Sequence, residues 1–248
     1  MAKWMMRCAV LALWLGSAQA GEVSVAVAAN FAAPMQKIAQ AFAQDTGHQA
    51  QISVGSTGKF YAQIVHGAPF QVLLSADDET PARLEKEGLS VPGQRFTYAS
   101  GKLALWSKQA DLVDDKGEVL RSNRFNKLAL ADPKLAPYGA AAIEVLTHFG
   151  LLPTVRDKLV QGDSIGQTFQ FVNTENAPLG FVALSQIWVD GRITQGSAWV
   201  VPQHWYTPLK QDAVLLNPGK DNAAAQALMK YLQSERAQSI IRSYGYDL

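Results

Sequence analysis

The chain has a single cysteine, Cys8, and it lies in a segment expected to be cut away. Lys3 and Arg7 make a positive start, Cys8 to Gly16 is a short apolar run, and Ala18-Gln19-Ala20 is a small-x-small cleavage site before Gly21. This is the pattern of a secretory signal peptide over residues 1–20, with an apolar part too short to span a bilayer. A buried N-terminal helix would leave the cleavage pattern unexplained. Cys8 also lacks the small-residue context that a lipid-anchored cysteine needs. The mature chain then carries no thiol, which excludes disulfides and cysteine nucleophiles.

Three further absences narrow the function. The whole chain has 22 Lys+Arg against 21 Asp+Glu; losing Lys3 and Arg7 takes the basic count to 20 and the net charge from +1 to −1. There is no basic surplus or basic amphipathic segment, so nucleic acid and membrane surfaces have no support as partners. The four histidines, His48, His66, His148 and His204, are scattered without metal-ligand spacing. There is no G-x-S-x-G elbow. Asp77-Asp78 looks like a carboxylate pair, but neighbours at a strand end point different ways, so a solvated, helix-starting pair is expected. Trp106, Trp188, Trp199 and Trp205 read as core or hinge packing. No second apolar run approaches membrane-spanning length, and the 248 residues suit one large or two modest domains.

What is present is an alternation of short apolar strands and helical patterns. Val23–Ala28 reads as a strand; Phe31, Met35, Ile38 and Phe42 follow at helical spacing, with Pro34 near the start and Gly47 past the end. Gln51–Val54 is the next strand, and Phe60, Ile64 and Val65 give the apolar face of a helix that Gly67 stops. Phe70–Ser75 is a continuous apolar strand and Thr80–Lys86 a charged surface helix. Later, Leu103–Trp106, Leu128–Ala131 and Leu179–Ala183 read as strands. Helices are expected from Tyr138-Gly139, over Val155–Val160, from Ser164-Ile165-Gly166 to near Asn176, and around Ala225, Leu228, Leu232, Ile240 and Ile241. Asp111–Asn126 reads as a polar surface excursion.

This order predicts an α/β fold with doubly wound sheets, divided into two lobes that meet at a cleft. The chain is expected to cross between lobes near Ser100–Lys102 and near Gln203–Gln211. Residues 21–101 and 210–248 then form one lobe and 102–209 the other, with the C-terminal helices returning to the first. Ligands in such sheets bind beyond the carboxyl ends of strands, where helices begin.

Four strand-to-helix turns are candidates for that cleft: Ala28-Ala29-Asn30-Phe31, Gly55-Ser56-Thr57-Gly58-Lys59, Ala136-Pro137-Tyr138-Gly139 and Asp163-Ser164-Ile165-Gly166-Gln167. Asn30 is a good N-cap. The second turn looks like a phosphate loop but fails the motif, which needs four residues between its glycines and Ser/Thr after the lysine. Here two residues separate the glycines and Phe60 follows Lys59, so a nucleotide triphosphate is unsupported. Thr57 suits a smaller anion through its hydroxyl and N–H, with Lys59 left solvated. Gly139 lets a ligand approach the backbone, and Ile165 offers only backbone N–H. Each turn alone is adequately explained as a helix cap. Four of them, two per lobe, favour a cleft for a small oxyanion.

At these turns the chain resembles periplasmic molybdate-binding proteins, the soluble receptors of molybdate ABC transporters. The resemblance runs over essentially the whole mature chain. It is most specific at Ala28-Ala29-Asn30-Phe31, Gly55–Asp77, Asp132-Pro133 to Pro137-Tyr138-Gly139, Pro178-Leu179-Gly180-Phe181-Val182 and Tyr244-Gly245-Tyr246. It implies the two-lobe, type II periplasmic receptor fold, no enzymatic activity, no cofactor and a monomer in the periplasm. The implied ligand is molybdate or tungstate, and the implied partner is a membrane permease. The implied ligand positions are Asn30, Thr57, Tyr138 and Ile165, with Ala29 lining the pocket; all contacts are to oxyanion oxygens and none to the metal. Tyr138 and Ile165 would act through backbone N–H, and Thr57 stands where the family usually has serine. Ala29 stands where some relatives carry a hydroxyl, and Ala183 where some carry a tyrosine. A receptor for sulfate or phosphate, an exported enzyme on the same scaffold and a sensory effector-binding domain are the rival readings.

Overall fold

Val23, Val25 and Val27 alternate along the first strand and put their side chains on one face of a sheet, while Ala26 faces the other. Both faces are covered, as helices on either side of a sheet require. The computed structural model describes residues 20–122 and 124–248; the signal-peptide reading falls on residues 1–20 and so lies almost wholly outside them.

The first half runs β1 (Glu22–Ala28), α1 (Ala32–Thr46), β2 (Gln49–Gly55), α2 (Thr57–Val65), β3 (Val72–Leu74), α3 (Glu79–Lys86) and β4 (Ser90–Gly101). The chain continues with β5 (Leu103–Ser107), β6 (Leu128–Ala131), α4 (Pro137–His148), α5 (Leu152–Val155), β7 (Leu159–Gly162), α6 (Ile165–Asn173) and β8 (Leu179–Ala183). A small hairpin, β9 (Trp188–Val189) and β10 (Arg192–Ile193), leads to β11 (Ser197–Val200), and the chain ends with β12 (Leu209–Leu216), α7 (Ala223–Tyr231) and α8 (Glu235–Ser243).

Two five-stranded sheets result, ordered β2-β1-β3-β12-β4 and β11-β5-β8-β6-β7. This is the expected two-lobe α/β fold. Each sheet is mixed: β1, β2 and β3 run parallel, as do β6, β7 and β8, while β12, β4, β5 and β11 pair antiparallel. The antiparallel strands are those by which the chain leaves one sheet and enters the other. It passes out at Lys102, between β4 and β5, and back between β11 and β12.

On the first sheet, α1, α7 and α8 bury Met35, Ile38, Phe42, Leu228 and Ile241, with Phe31 from the turn before α1, against β1, β3 and β12. Phe60, Ile64 and Leu84 cover the opposite face. On the second sheet, α4 sets Tyr138, Ala142, Val145 and Leu146 over Leu105, Leu130 and Phe181, and α6 sets Val172 over Ala104, Ala129 and Val182. Each fully buried large apolar side chain is worth roughly 1.5–3 kcal/mol. Trp106 is buried and stacks on Phe169, in keeping with a packing role.

Several expectations are corrected. Strands β4, β11 and β12 were not expected. Strand β4 carries Pro92 and Gly93 and lies at the edge of its sheet, where proline is tolerated. The helix expected over Val155–Val160 divides into α5, a 3-10 turn at Arg156–Lys158, and β7, whose pairing with β6 overrides its weak helical pattern. The excursion Asp111–Asn126 is not purely polar: Leu112, Val113, Val119, Leu120 and Phe125 are buried in the second core. Leu84 of the charged helix α3 is fully buried, whereas Val65 of α2 is exposed.

Candidate functional site

Four helices begin around one cavity. Strands β1, β2, β6 and β7 each end at a turn that opens a helix, and their first-turn N–H groups lack intrahelical acceptors. The cavity is small, about 10 Å³, and is lined by Ala29, Asn30, Ser56, Thr57, Tyr138 and Ile165, with Ala28, Gly55, Ala76, Ala136 and Pro137 between them. No Lys, Arg or His is among these lining residues. A larger hollow, about 1150 Å³, is an open surface groove past Arg95, Lys220 and Lys230, away from all four helix starts.

The two sheets close over the cavity. The Gly58 N–H donates to the Leu135 carbonyl at 2.9 Å. Lys59 Nζ lies 2.7 Å from Asp163 Oδ2. The Ser185 hydroxyl donates to the Asn30 carbonyl at 2.8 Å. A Cβ on Gly166 would stand 3.1 Å from the Ala29 Cβ, so the α1 and α6 turns are already in contact. Ala28, Ala29 and Ala76 belong to the same hydrophobic cluster as Ile165, Tyr138 and the core of the other sheet.

Thr57 is the first residue of α2 and is buried. Its Oγ1 accepts from the Ala76 N–H at 3.0 Å. The neighbouring Ser75 hydroxyl donates to Asp77 Oδ1 at 2.9 Å, and its oxygen lies 3.4 Å from Thr57 Oγ1. Tyr138 and Ile165 stand in the first turns of α4 and α6 and present backbone N–H there. The Tyr138 hydroxyl is turned away and accepts from Gln211 Nε2 at 3.0 Å. Ser164 caps α6, accepting from the Gln167 N–H at 3.2 Å.

Asn30 departs from its expected role. It lies in a 3-10 turn, Ala29–Phe31, and its side chain caps nothing. Instead Nδ2 donates to Gln211 Oε1 at 2.9 Å and to the Tyr246 hydroxyl at 3.0 Å, and Oδ1 is buried without a partner among the described residues. Gly139 also departs: a Cβ there would collide with the Ala131 carbonyl, so the close approach is by the chain's own backbone. Lys59 is not simply solvated, since it pairs with Asp163. Asp77 is half-buried; its carboxylate accepts from Ser75, the Thr80 N–H at 3.0 Å and the Thr80 hydroxyl, and burial raises its pKa above the usual range. Ala183 is buried at the end of β8 and does not line the cavity.

The sequence did not point to Gln211, Tyr98, Ser185 or the role of Tyr246. These residues form a buried polar bridge between the sheets. Gln211 is fully buried; the Tyr98 hydroxyl donates to the Ser75 carbonyl at 2.8 Å and lies 3.1 Å from Gln211 Oε1. The Tyr246 hydroxyl lies 2.9 Å from the Asn30 carbonyl and 3.0 Å from Ser185 Oγ. Burial pushes Tyr246 up to about 12 and holds Tyr98 and Tyr138 well above the ordinary tyrosine value. The closing Tyr-Gly-Tyr was the sole sequence signal.

Two lobes shut on a cavity ringed by helix N-termini define a solute receptor. The profile of the bacterial extracellular solute-binding proteins matches residues 23–247, and the chain belongs to that family. Its relatives include the molybdate-binding protein ModA of Azotobacter vinelandii, 58% identical over 94% of this chain and 92% of that one. The molybdate-binding protein ModA of Rhodobacter capsulatus is 52% identical over 95% of this chain and 93% of that one. Among solved structures, the Azotobacter vinelandii periplasmic molybdate-binding protein superposes with a TM-score of 0.88 at 42% identity, covering 91% of this chain and 99% of that one. Proteins of this family bind solutes and are not enzymes, which removes the exported-enzyme reading.

Proposed function

We propose that this protein is a periplasmic molybdate receptor that delivers its ligand to the membrane permease of an ABC transporter. The observation that carries the proposal is the convergence of four helix starts, two from each sheet, on one cavity without a cationic side chain. The names of the similar Azotobacter and Rhodobacter proteins supply the anion.

In this reading the backbone N–H groups of Thr57, Tyr138 and Ile165 and the Thr57 hydroxyl donate to anion oxygens, Ala29 lines the pocket, and Asn30 contributes from its 3-10 turn. Charge-assisted hydrogen bonds are roughly twice as strong as neutral ones, and helix N-termini add favourable potential. Neutral donors hold a dianion without a counter-ion, so the anion can leave when the lobes part. Residues 21–101 and 210–248 move as one lobe and 102–209 as the other, hinging where the chain crosses. Tungstate, with the same shape and charge, binds in the same way, while sulfate makes poorer contacts in a cavity fitted to a larger ion. The receptor is exported by cleavage after Ala20 and works as a monomer.

Isothermal titration calorimetry of the mature chain tests this. Tight one-to-one binding of molybdate and tungstate is expected; heat with sulfate or phosphate alone would reassign the ligand.

A further inference from the structure

We infer that the Ser56 hydroxyl is a further anion donor in this cavity, a role that rests on the oxyanion-receptor reading above. Ser56 is the N-cap of α2, with extended backbone at φ −89° and ψ 150°. A serine there normally accepts from the N–H two or three residues on. Ser164 does so for α6 and Ser234 for α8, at 3.2 and 3.3 Å. Ser56 does not: its side chain makes no cap.

Nor is the hydroxyl turned to solvent. Ser56 is 3% exposed, and its Oγ has no hydrogen-bond partner among the described residues. Ser56 is one of the residues lining the cavity, together with Thr57, Tyr138 and Ile165. A helix start without its cap and a buried hydroxyl without a partner are both unfavourable, and here one side chain carries both. A hydroxyl needs an acceptor to satisfy its proton, and an oxyanion supplies one. Asn30 Oδ1, also unpaired at this cavity, is an acceptor and cannot play that part as it stands. Ser90 is the useful contrast, since its Oγ is equally buried and unpaired but lies on β4, outside the cavity.

The test compares the mature wild type with Ser56→Ala, Ser56→Gly and Ser90→Ala, titrating each with sodium molybdate and recording ligand-free unfolding. Glycine is a tolerated N-cap, so Ser56→Gly removes the hydroxyl while keeping the helix start. Both Ser56 variants should bind molybdate roughly 10- to 100-fold more weakly, the range expected for a hydrogen bond to a charged group. Their ligand-free unfolding midpoints should stay within a few degrees of the wild type, and Ser90→Ala should bind as the wild type does. Wild-type affinity in both Ser56 variants overturns the inference and leaves the receptor reading intact. No binding of molybdate by the wild type overturns both.

Discussion

Lys59 and Asp163 form an ion pair, Nζ to Oδ2 at 2.7 Å, that joins the first turn of α2 to the loop before α6. One residue comes from each lobe, and each lies within two residues of a proposed anion contact. The pair therefore ties the two lobes together at the rim of the cavity. Its side chains are 46% and 66% exposed, so the attraction is screened by solvent and worth less than about 1 kcal/mol. Lys59→Met or Asp163→Asn should weaken molybdate binding by roughly two- to five-fold at low ionic strength. The loss should vanish near 1 M salt, where screening reaches about 3 Å. Titrations at both salt levels check this; a loss independent of salt would point to packing instead.

Thr57 has two tasks that a substitution can separate. Its oxygen accepts from the Ala76 N–H, and its hydroxyl, 3.4 Å from Ser75 Oγ, is a proposed donor to the anion. Thr57→Val keeps the shape and removes both, stranding a buried N–H at a cost of about 1–3 kcal/mol. Molybdate affinity should fall at least about ten-fold with a lower unfolding midpoint. Thr57→Ser keeps both bonds and should stay close to wild type. Calorimetry and thermal unfolding of the two variants give the comparison.

Gly101 is where β4 passes the polar bridge. A Cβ there would land on the Tyr138 hydroxyl and on Gln211 Nε2, both in the buried network. Gly101→Ala must displace both of them, and overpacking of this kind costs about 1–3 kcal/mol. The expected result is an unfolding midpoint lowered by roughly 2–10 °C and weakened molybdate binding, since Tyr138 also opens α4. An unchanged midpoint would show that the bridge has slack.

The same tyrosines set an alkaline limit. Burial pushes Tyr246 up to about 12 and raises Tyr98 and Tyr138 well above the ordinary value of 10.0. Above pH 10 the unfolded chain releases these protons while the folded chain keeps them. The unfolded state then binds fewer protons, so stability falls as pH rises from about 10 towards 12. Each tyrosine contributes at most about 1.4 kcal/mol per pH unit in that window. Urea midpoints measured between pH 9 and 11.5 should decline, and more gently in Tyr246→Phe. A flat profile would contradict the burial of these hydroxyls.

The sequence made β1, α1, β2 and α2 readable because Phe31, Met35, Ile38, Phe42, Phe60 and Ile64 repeat at helical spacing between short apolar strands. Three of the turns that line the cavity were readable for the same reason, since each joins a clear strand to a clear helix; the fourth was read from Ser164-Ile165-Gly166 alone, because β7 before it carries a helical pattern. Strand β4 was not, because an edge strand with mostly exposed residues and Pro92 carries little apolar alternation. Gln211 was hidden because a buried amide in β12 is specified by partners distant in sequence, Asn30, Tyr98 and Tyr138. The Lys59–Asp163 contact spans 104 residues and becomes visible only when the lobes are folded together. Asp111–Asn126 misled for a simpler reason: its charges outnumber Leu112, Val113, Val119, Leu120 and Phe125, yet those five face inward.

The most direct measurement is calorimetric titration of the mature protein with molybdate, followed by sulfate at the same concentrations. One molybdate per chain, bound tightly, with tungstate competing and sulfate far weaker, is the predicted result. Clear heat with sulfate or phosphate and none with molybdate or tungstate would contradict the account.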